Sequence, residues 1–102
     1  MAMIKTKRQH EADRTEILRF LNEAGFLPVP PHMILVHLDE RYRSVSDEGV
    51  DYALRFLQGK GWVEIGEEKI LGKPRRILWA KITPAGVDEL DRRTPEESGV
   101  RE

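Results

Sequence analysis

The stretch SDEGVDYALRFLQGKGWVEIGEEKILGKPRRILWAKIT, residues 46–83, changes its hydrophobic period once, and that change decides how the chain folds. Val50, Ala53, Leu54 and Leu57 recur at helical spacing behind Ser46, whose hydroxyl suits an N-cap. Gly59 or Gly61 stops the helix, since glycine takes the left-handed conformation there without a Cβ penalty. The period then drops to two. Trp62-Val63-Glu64-Ile65 alternates as a half-buried strand, Gly66 marks a bend, and Ile77 to Ile82 is the return strand. Gly72, Lys73 and Pro74 are turn residues, so the segment predicts a helix followed by a β-hairpin with the basic tip Lys73-Pro74-Arg75-Arg76.

Working outward, Asp13 with Glu16 three residues on forms a capping-box-like pair at the start of a first helix carrying Ile17, Leu18, Leu21 and Ala24 on one face. Gly25 ends it, and Pro28, Pro30 and Pro31 force an extended connection, with Pro31 suited to a first helical position. The second helix runs to about Tyr42, and its Ile34, Leu35, Leu38 and Tyr42 form a stripe that packs on the first. Arg43-Ser44-Val45 links it to the third. Beyond the hairpin, Thr83 caps a short last helix with Pro84 at its first position and Val87 and Leu90 facing the core. The expected organisation is a basic arm or helix extension at 1–12, one domain at 13–93 and a loose tail at 94–102.

With 102 residues and 39% hydrophobic content the chain suits a single domain, burying roughly two thirds of the surface its unfolded form exposes. A net charge of -1 gives no global attraction to phosphate, so any nucleic-acid affinity rests on how charge is distributed. Locally it is separated: Lys5, Lys7 and Arg8 at the N-terminus, Asp47 to Asp51 at the start of the third helix, and Lys69, Lys73, Arg75, Arg76 and Lys81 on the hairpin. The absence of cysteine excludes disulfides, thiolate catalysis and cysteine-ligated zinc. No stretch reaches the roughly 20 apolar residues of a membrane span and no signal-peptide core stands at the N-terminus, so a soluble, cytoplasmic protein is expected. Nothing is arranged for catalysis. His32 and His37 miss the i, i+4 spacing that aligns two imidazoles, His10 stands apart, Ser44, Ser46 and Ser98 lack a neighbouring base, and no glycine-rich loop follows a strand. The expectation is a protein that is not an enzyme and takes neither cofactor nor metal, its histidines satisfied or exposed.

The three predicted helices, the Val45-Ser46 junction, the Gly61-Trp62-Val63 exit, the hairpin and the closing Ile82-Thr83-Pro84-Ala85-Gly86 together resemble winged helix-turn-helix proteins of the bacterial regulator type, over residues 13–92. More narrowly, Asp13-Arg14 before Ile17-Leu18-Arg19-Phe20-Leu21, the Val45-Ser46 turn and a Gly-Val pair near the C-terminus resemble small winged-helix proteins encoded in Mu-like prophages. The resemblance implies an α+β, mainly α fold: a three-helix core, a two-stranded wing and a short C-terminal helix. It also implies a transcriptional regulator that binds duplex DNA, with the N-terminal half of the third helix in the major groove and the wing tip on the backbone or in the minor groove. Carried over to this sequence, the groove-facing positions are Ser46, Asp47, Glu48, Asp51, Tyr52 and Arg55.

Here the sequence departs from the family pattern, which commonly places Arg, Lys, Gln or Thr at several of these positions. Asp47, Glu48 and Asp51 would meet phosphate repulsion, although Asp47 and Glu48 also suit a helix N-terminus and Asp51 can pair with Arg55 at i+4. Tyr52 either meets a partner or packs half-buried on the second helix. The candidate nucleic-acid contacts are therefore Lys69, Lys73, Arg75 and Arg76 on the wing, Ser46, Tyr52 and Arg55 on the helix, and Lys5, Lys7 and Arg8 as a minor-groove arm. Lys and Arg also protect exposed strand edges without any ligand. The competing reading is a protein-interaction module whose acidic helix, through Asp47, Glu48 and Asp51, binds a basic partner surface, with little or no DNA binding. A homodimer is expected under the DNA-binding reading, while under the other the acidic helix binds another protein or a second copy of this chain; the last helix is able to pair across a two-fold axis.

Overall fold

A computed structural model describes residues 7–42, 46–69, 71–73 and 75–93. Among these the order is α1 (Lys7–Glu23), α2 (Pro31–Tyr42), α3 (Asp47–Gly59), β1 (Val63–Glu68), β2 (Arg76–Ile82) and α4 (Pro84–Arg93). This is the winged-helix architecture. Helices α1 to α3 close on Ile17, Leu18, Leu21, Ile34, Leu38, Val50, Leu54 and Leu57, all buried, and the root of the hairpin adds Val63, Ile77, Ala80 and Ile82.

Among the described residues the first helix already runs from Lys7, N-terminal of Asp13, because residues 7–12 contain neither glycine nor proline and the helix propagates through them. Asp13 is thus interior and the expected capping pair does not form. Glu16 is 6% exposed, and its Oε2 lies 2.7 Å from His37 Nε2 on α2. The His37 ring stacks on Phe20 at 4.4 Å, and Arg19 Nη1 stands 3.7 Å from the same carboxylate. A carboxylate so enclosed must be paired, so this contact fixes how α2 sits on α1. Arg14 ties α1 to α3, its guanidinium 3.9 Å above the Phe56 ring.

Both ends of α3 are capped by side chain or backbone. Ser46 is extended (φ -126, ψ 165) and its Oγ accepts from the Gly49 N–H at 3.1 Å. At the other end Gly61 N–H donates to the Gln58 carbonyl at 2.9 Å and Trp62 N–H to the Leu57 carbonyl at 3.1 Å. That double bond pattern needs a left-handed residue, and Gly61 supplies it at φ +80. Trp62 consequently belongs to the helix stop, and β1 begins one residue later than the alternation suggested.

The wing strands pair antiparallel from Val63 opposite Ile82 to Glu68 opposite Arg76. Gly66 is not a bend: β1 passes straight through it, and the irregularity is a register shift between Gly66 and Glu67 that leaves Leu78 as an extra residue on β2. Gly66 serves close approach instead. A Cβ there would meet the Trp79 ring at 2.2 Å, so the indole lies over the bare backbone. The proline-rich connection between α1 and α2 adds a further rung, with Val29 and Ala80 exchanging both backbone hydrogen bonds at 2.8 Å. This clamps β2 between β1 and the α1–α2 connection, and gives the wing a fixed root.

Helix α4 returns to the domain. Thr83 Oγ1 accepts from Gly86 N–H at 3.0 Å and donates to the Gly61 carbonyl at 2.7 Å, so one hydroxyl caps α4 and holds it to the end of α3. Arg93 donates to Thr15 Oγ1 of α1 at 2.7 Å and to Glu89 at 2.9 Å, and its guanidinium lies 5.0 Å from the Trp62 ring. Leu90 is 6% exposed and Val87 packs against the same core, so both face inward as their spacing predicts.

Candidate nucleic-acid interface

Three elements meet at one open flank. The start of α2 (Pro30, Pro31, His32), the first turns of α3 (Asp47, Glu48, Asp51) and the wing (Lys73, Arg75, Arg76, Leu78) line a groove of about 890 Å³. The wing cations and the α3 carboxylates therefore stand on opposite walls of the same groove.

The contact that holds the two walls in register is Arg55. Its Nε donates to Asp51 Oδ2 at 3.0 Å, its Nη1 to Glu67 Oε2 at 2.6 Å and its Nη2 to the Arg75 carbonyl at 3.2 Å. One guanidinium thus joins α3 to β1 and to the residue that leads into β2. The hydrogen bond to Glu67, then that to Asp51, raises the Arg55 pKa above its ordinary value. The same bond from Arg55 lowers the Glu67 carboxyl against the opposing effect of desolvation, with Arg75 and Lys69 adding to the lowering.

The remaining wing cations are more open. Arg75 Nη1 is 3.8 Å from Glu67 with its side chain 60% exposed, and Arg76 Nη2 is 2.7 Å from Glu68 with 71% exposed. Lys69 and Lys73 are exposed. On α3, Ser46, Asp47 and Glu48 are exposed, and Tyr52 is 61% exposed rather than packed half-buried on α2. Lys5 and the side chains of Lys7 and Arg8 lie outside the described residues, as do Val45, Pro74 and the tail from 94.

Glu67 and Glu68 are the residues the sequence reading missed. The signal was present: two carboxylates before the turn face two arginines after it, and Glu68 is the direct cross-strand partner of Arg76. Because the Glu67 pKa is depressed in the folded state, its contribution to stability is present above the unfolded value of about 4.3 and is lost as pH falls through the lower folded value. Glu67→Gln is expected to flatten the acid limb of a Tm-versus-pH profile below about pH 4.3 while leaving Tm near neutrality within a few degrees, because the pair is solvent-screened. An unchanged acid limb would show that the carboxylate does not anchor the wing.

Among the described residues no group of three or more His, Asp or Glu is placed to hold a metal ion, and no helix is long and apolar enough to cross a membrane. Neither a family model nor a curated protein matches the sequence. Solved structures do match across nearly the whole chain. A transcriptional regulator from Thermoplasma acidophilum superposes with a TM-score of 0.71 at 16% identity, covering 94% of this chain and 89% of that one. A PadR-like transcriptional regulator from Bacillus cereus gives 0.68 at 17% identity, over 93% and 89%. A transcriptional regulator from Clostridium thermocellum gives 0.64 at 20% identity, over 94% and 89%. At these identities the similarity is one of fold, and the fold shared with these regulators is the winged helix.

Proposed function

We propose that this chain is a cytoplasmic, DNA-binding transcriptional regulator that meets duplex DNA through its basic wing and the first turns of α3, and that it acts as a homodimer. The observation that carries this reading is the shared groove: exposed Lys73, Arg75 and Arg76 on one wall, the exposed N-terminal face of α3 on the other. A phosphate backbone following that groove would meet the wing first, and the helix would approach base edges beside it. The described solved structures that share the fold bear the description of transcriptional regulators, which supports the same role. A dimer supplies contact area that one small module lacks.

The carboxylates set what kind of binder this is. Asp47 and Glu48 gain from the helix N-terminus and Asp51 is held by Arg55, so the fold tolerates all three without a ligand. Toward DNA they act against affinity and leave attraction to the wing, making α3 a filter that rejects most sequences rather than a source of binding energy. Lys69 joins the wing contacts. Tyr52 and Ser46 are exposed on α3, whereas Arg55 acts by positioning the wing. Lys5, Lys7 and Arg8 are proposed as an arm reaching an adjacent groove.

The test is titration with mixed-sequence duplex at low and moderate salt. Binding that weakens steeply with salt is expected, and Asp47→Asn with Glu48→Gln should strengthen nonspecific affinity by roughly threefold to tenfold, the order of two relieved surface repulsions. The absence of binding at about 50 mM salt would favour the protein-interaction module instead, since three carboxylates then line a groove that no polyanion enters.

A further inference from the structure

At the apex of the wing the sequence runs Lys69-Ile70-Leu71-Gly72-Lys73-Pro74-Arg75-Arg76, so an apolar pair is set inside four cations. Leu71 is 100% exposed, and Gly72 beside it turns the chain at φ +78. Single exposed leucines are ordinary on protein surfaces. This one differs by position, because it stands beyond the ends of both strands and outside the core of the described residues, between Lys69 and Lys73 in the sequence.

We infer that Leu71 is a minor-groove wedge. This rests on the DNA-binding reading above and deepens it. The minor groove is about 6 Å wide and walled by phosphates on both sides, so a tip that enters it must present cations at its flanks and little charge at its centre. Lys69 and Lys73 occupy the flanks, with Arg75 and Arg76 at the base of the loop. Leu71 occupies the centre. A leucine carried there presses against the edges of a base step, and steps that unstack readily, TA and CA/TG, accept it at least cost. The wing then reads deformability in one groove while α3 screens base edges in the other. The polar rim and apolar tip also match no lipid surface, where a single leucine gives too little buried area to hold a chain of net charge -1 against anionic headgroups.

The test compares the full chain with Leu71→Ala, a change that leaves the fold intact because the side chain is fully exposed. Each protein is used to select duplexes from a randomised pool, and the enriched duplexes are then made with 2-aminopurine at the enriched step. The wild type is expected to enrich a pyrimidine–purine step at a fixed position and to raise 2-aminopurine fluorescence on binding. Leu71→Ala should lose both and bind about tenfold more weakly, the scale set by removing one leucine from an apolar contact, with an unchanged salt slope because no phosphate contact is lost. Leu71→Met should retain the fluorescence signal. Identical selection and fluorescence for wild type and Leu71→Ala would overturn the wedge while leaving the regulator reading in place. Failure of the wild type to bind any duplex would overturn both.

Discussion

Alanine at Lys73, Arg75 and Arg76 together is expected to flatten the salt dependence of DNA binding by about 2.7 in the log–log slope, at about 0.9 per phosphate released. Between about 50 and 200 mM salt, a fourfold change, that difference corresponds to roughly fortyfold in relative affinity. The size of the effect depends on what the arginines do when DNA arrives. Arg76 is held by Glu68 at 2.7 Å and Arg75 stands 3.8 Å from Glu67, so each must share or surrender a carboxylate to take a phosphate. If both arginines stay with their glutamates, only Lys73 counts and the slope changes by about 0.9. Glu68→Gln separates the cases: it frees Arg76 and should steepen the wild-type slope only when that side chain is otherwise retained. The three side chains are exposed, so Tm should move by no more than a few degrees. An unaltered slope in the triple variant would remove the wing from the interface.

What the sequence made legible was whatever depends on neighbours along the chain. The α3 stripe, its Ser46 cap and the glycine stop are local arrangements, and Val50, Ala53, Leu54 and Leu57 are all buried as their spacing requires. What stayed hidden joins distant positions. Glu16 read as a capping partner because Asp13 stands three residues before it, yet its actual partner is His37, twenty-one positions away and on another helix. Nothing in the local pattern separates a carboxylate that caps a turn from one that enters a core. Arg55 was legible as a partner of Asp51 at i+4, but its stronger bond to Glu67 crosses from helix to wing and required the register of the hairpin. Gly66 was legible only as an unusual residue in a strand. That it makes room for Trp79 rather than bending the chain is decided by a side chain on the opposite strand.

The same distinction explains how charge is used. A chain with near-zero net charge has a basic wing and an acidic helix, and the two are tied by Arg55 so that neither drifts from the groove they share. Charges separated along the chain are brought together to line one groove. Under the proposed function, affinity and selectivity would fall to different parts of one groove and could be altered independently by substitution.

Gly86→Ala is expected to cause the largest loss of stability of any single methyl addition at a described glycine. The residue is buried in the first turns of α4, and a Cβ there would lie 2.1 Å from the Trp62 carbonyl oxygen and 2.8 Å from Ile82 Cγ1. The carbonyl is backbone and cannot rotate aside, because it already accepts the Thr83 N–H at 3.1 Å. Relief requires α4 to lift from the end of α3, which strains the Thr83 cap and its bond to Gly61, and pulls Arg93 from Thr15. The cost is about 3 kcal/mol, in the upper part of the range for overpacked sites, or a fall in Tm of about 12 °C or more for a domain of this size. This accounts physically for the glycine in the Ile82-Thr83-Pro84-Ala85-Gly86 run: the motif seats a helix on a carbonyl, and only a residue without a side chain fits. Gly59→Ala is the control. Nothing lies within 4 Å of a Cβ at Gly59, and a helical alanine there should raise stability by about 0.5 kcal/mol. Comparable Tm values for the two variants by thermal denaturation would show that α4 does not rest on the Trp62 carbonyl. The expected contrast, with the DNA salt slope of the folded Gly86→Ala protein unchanged, would place the last helix in the support of the fold and outside the attraction to phosphate.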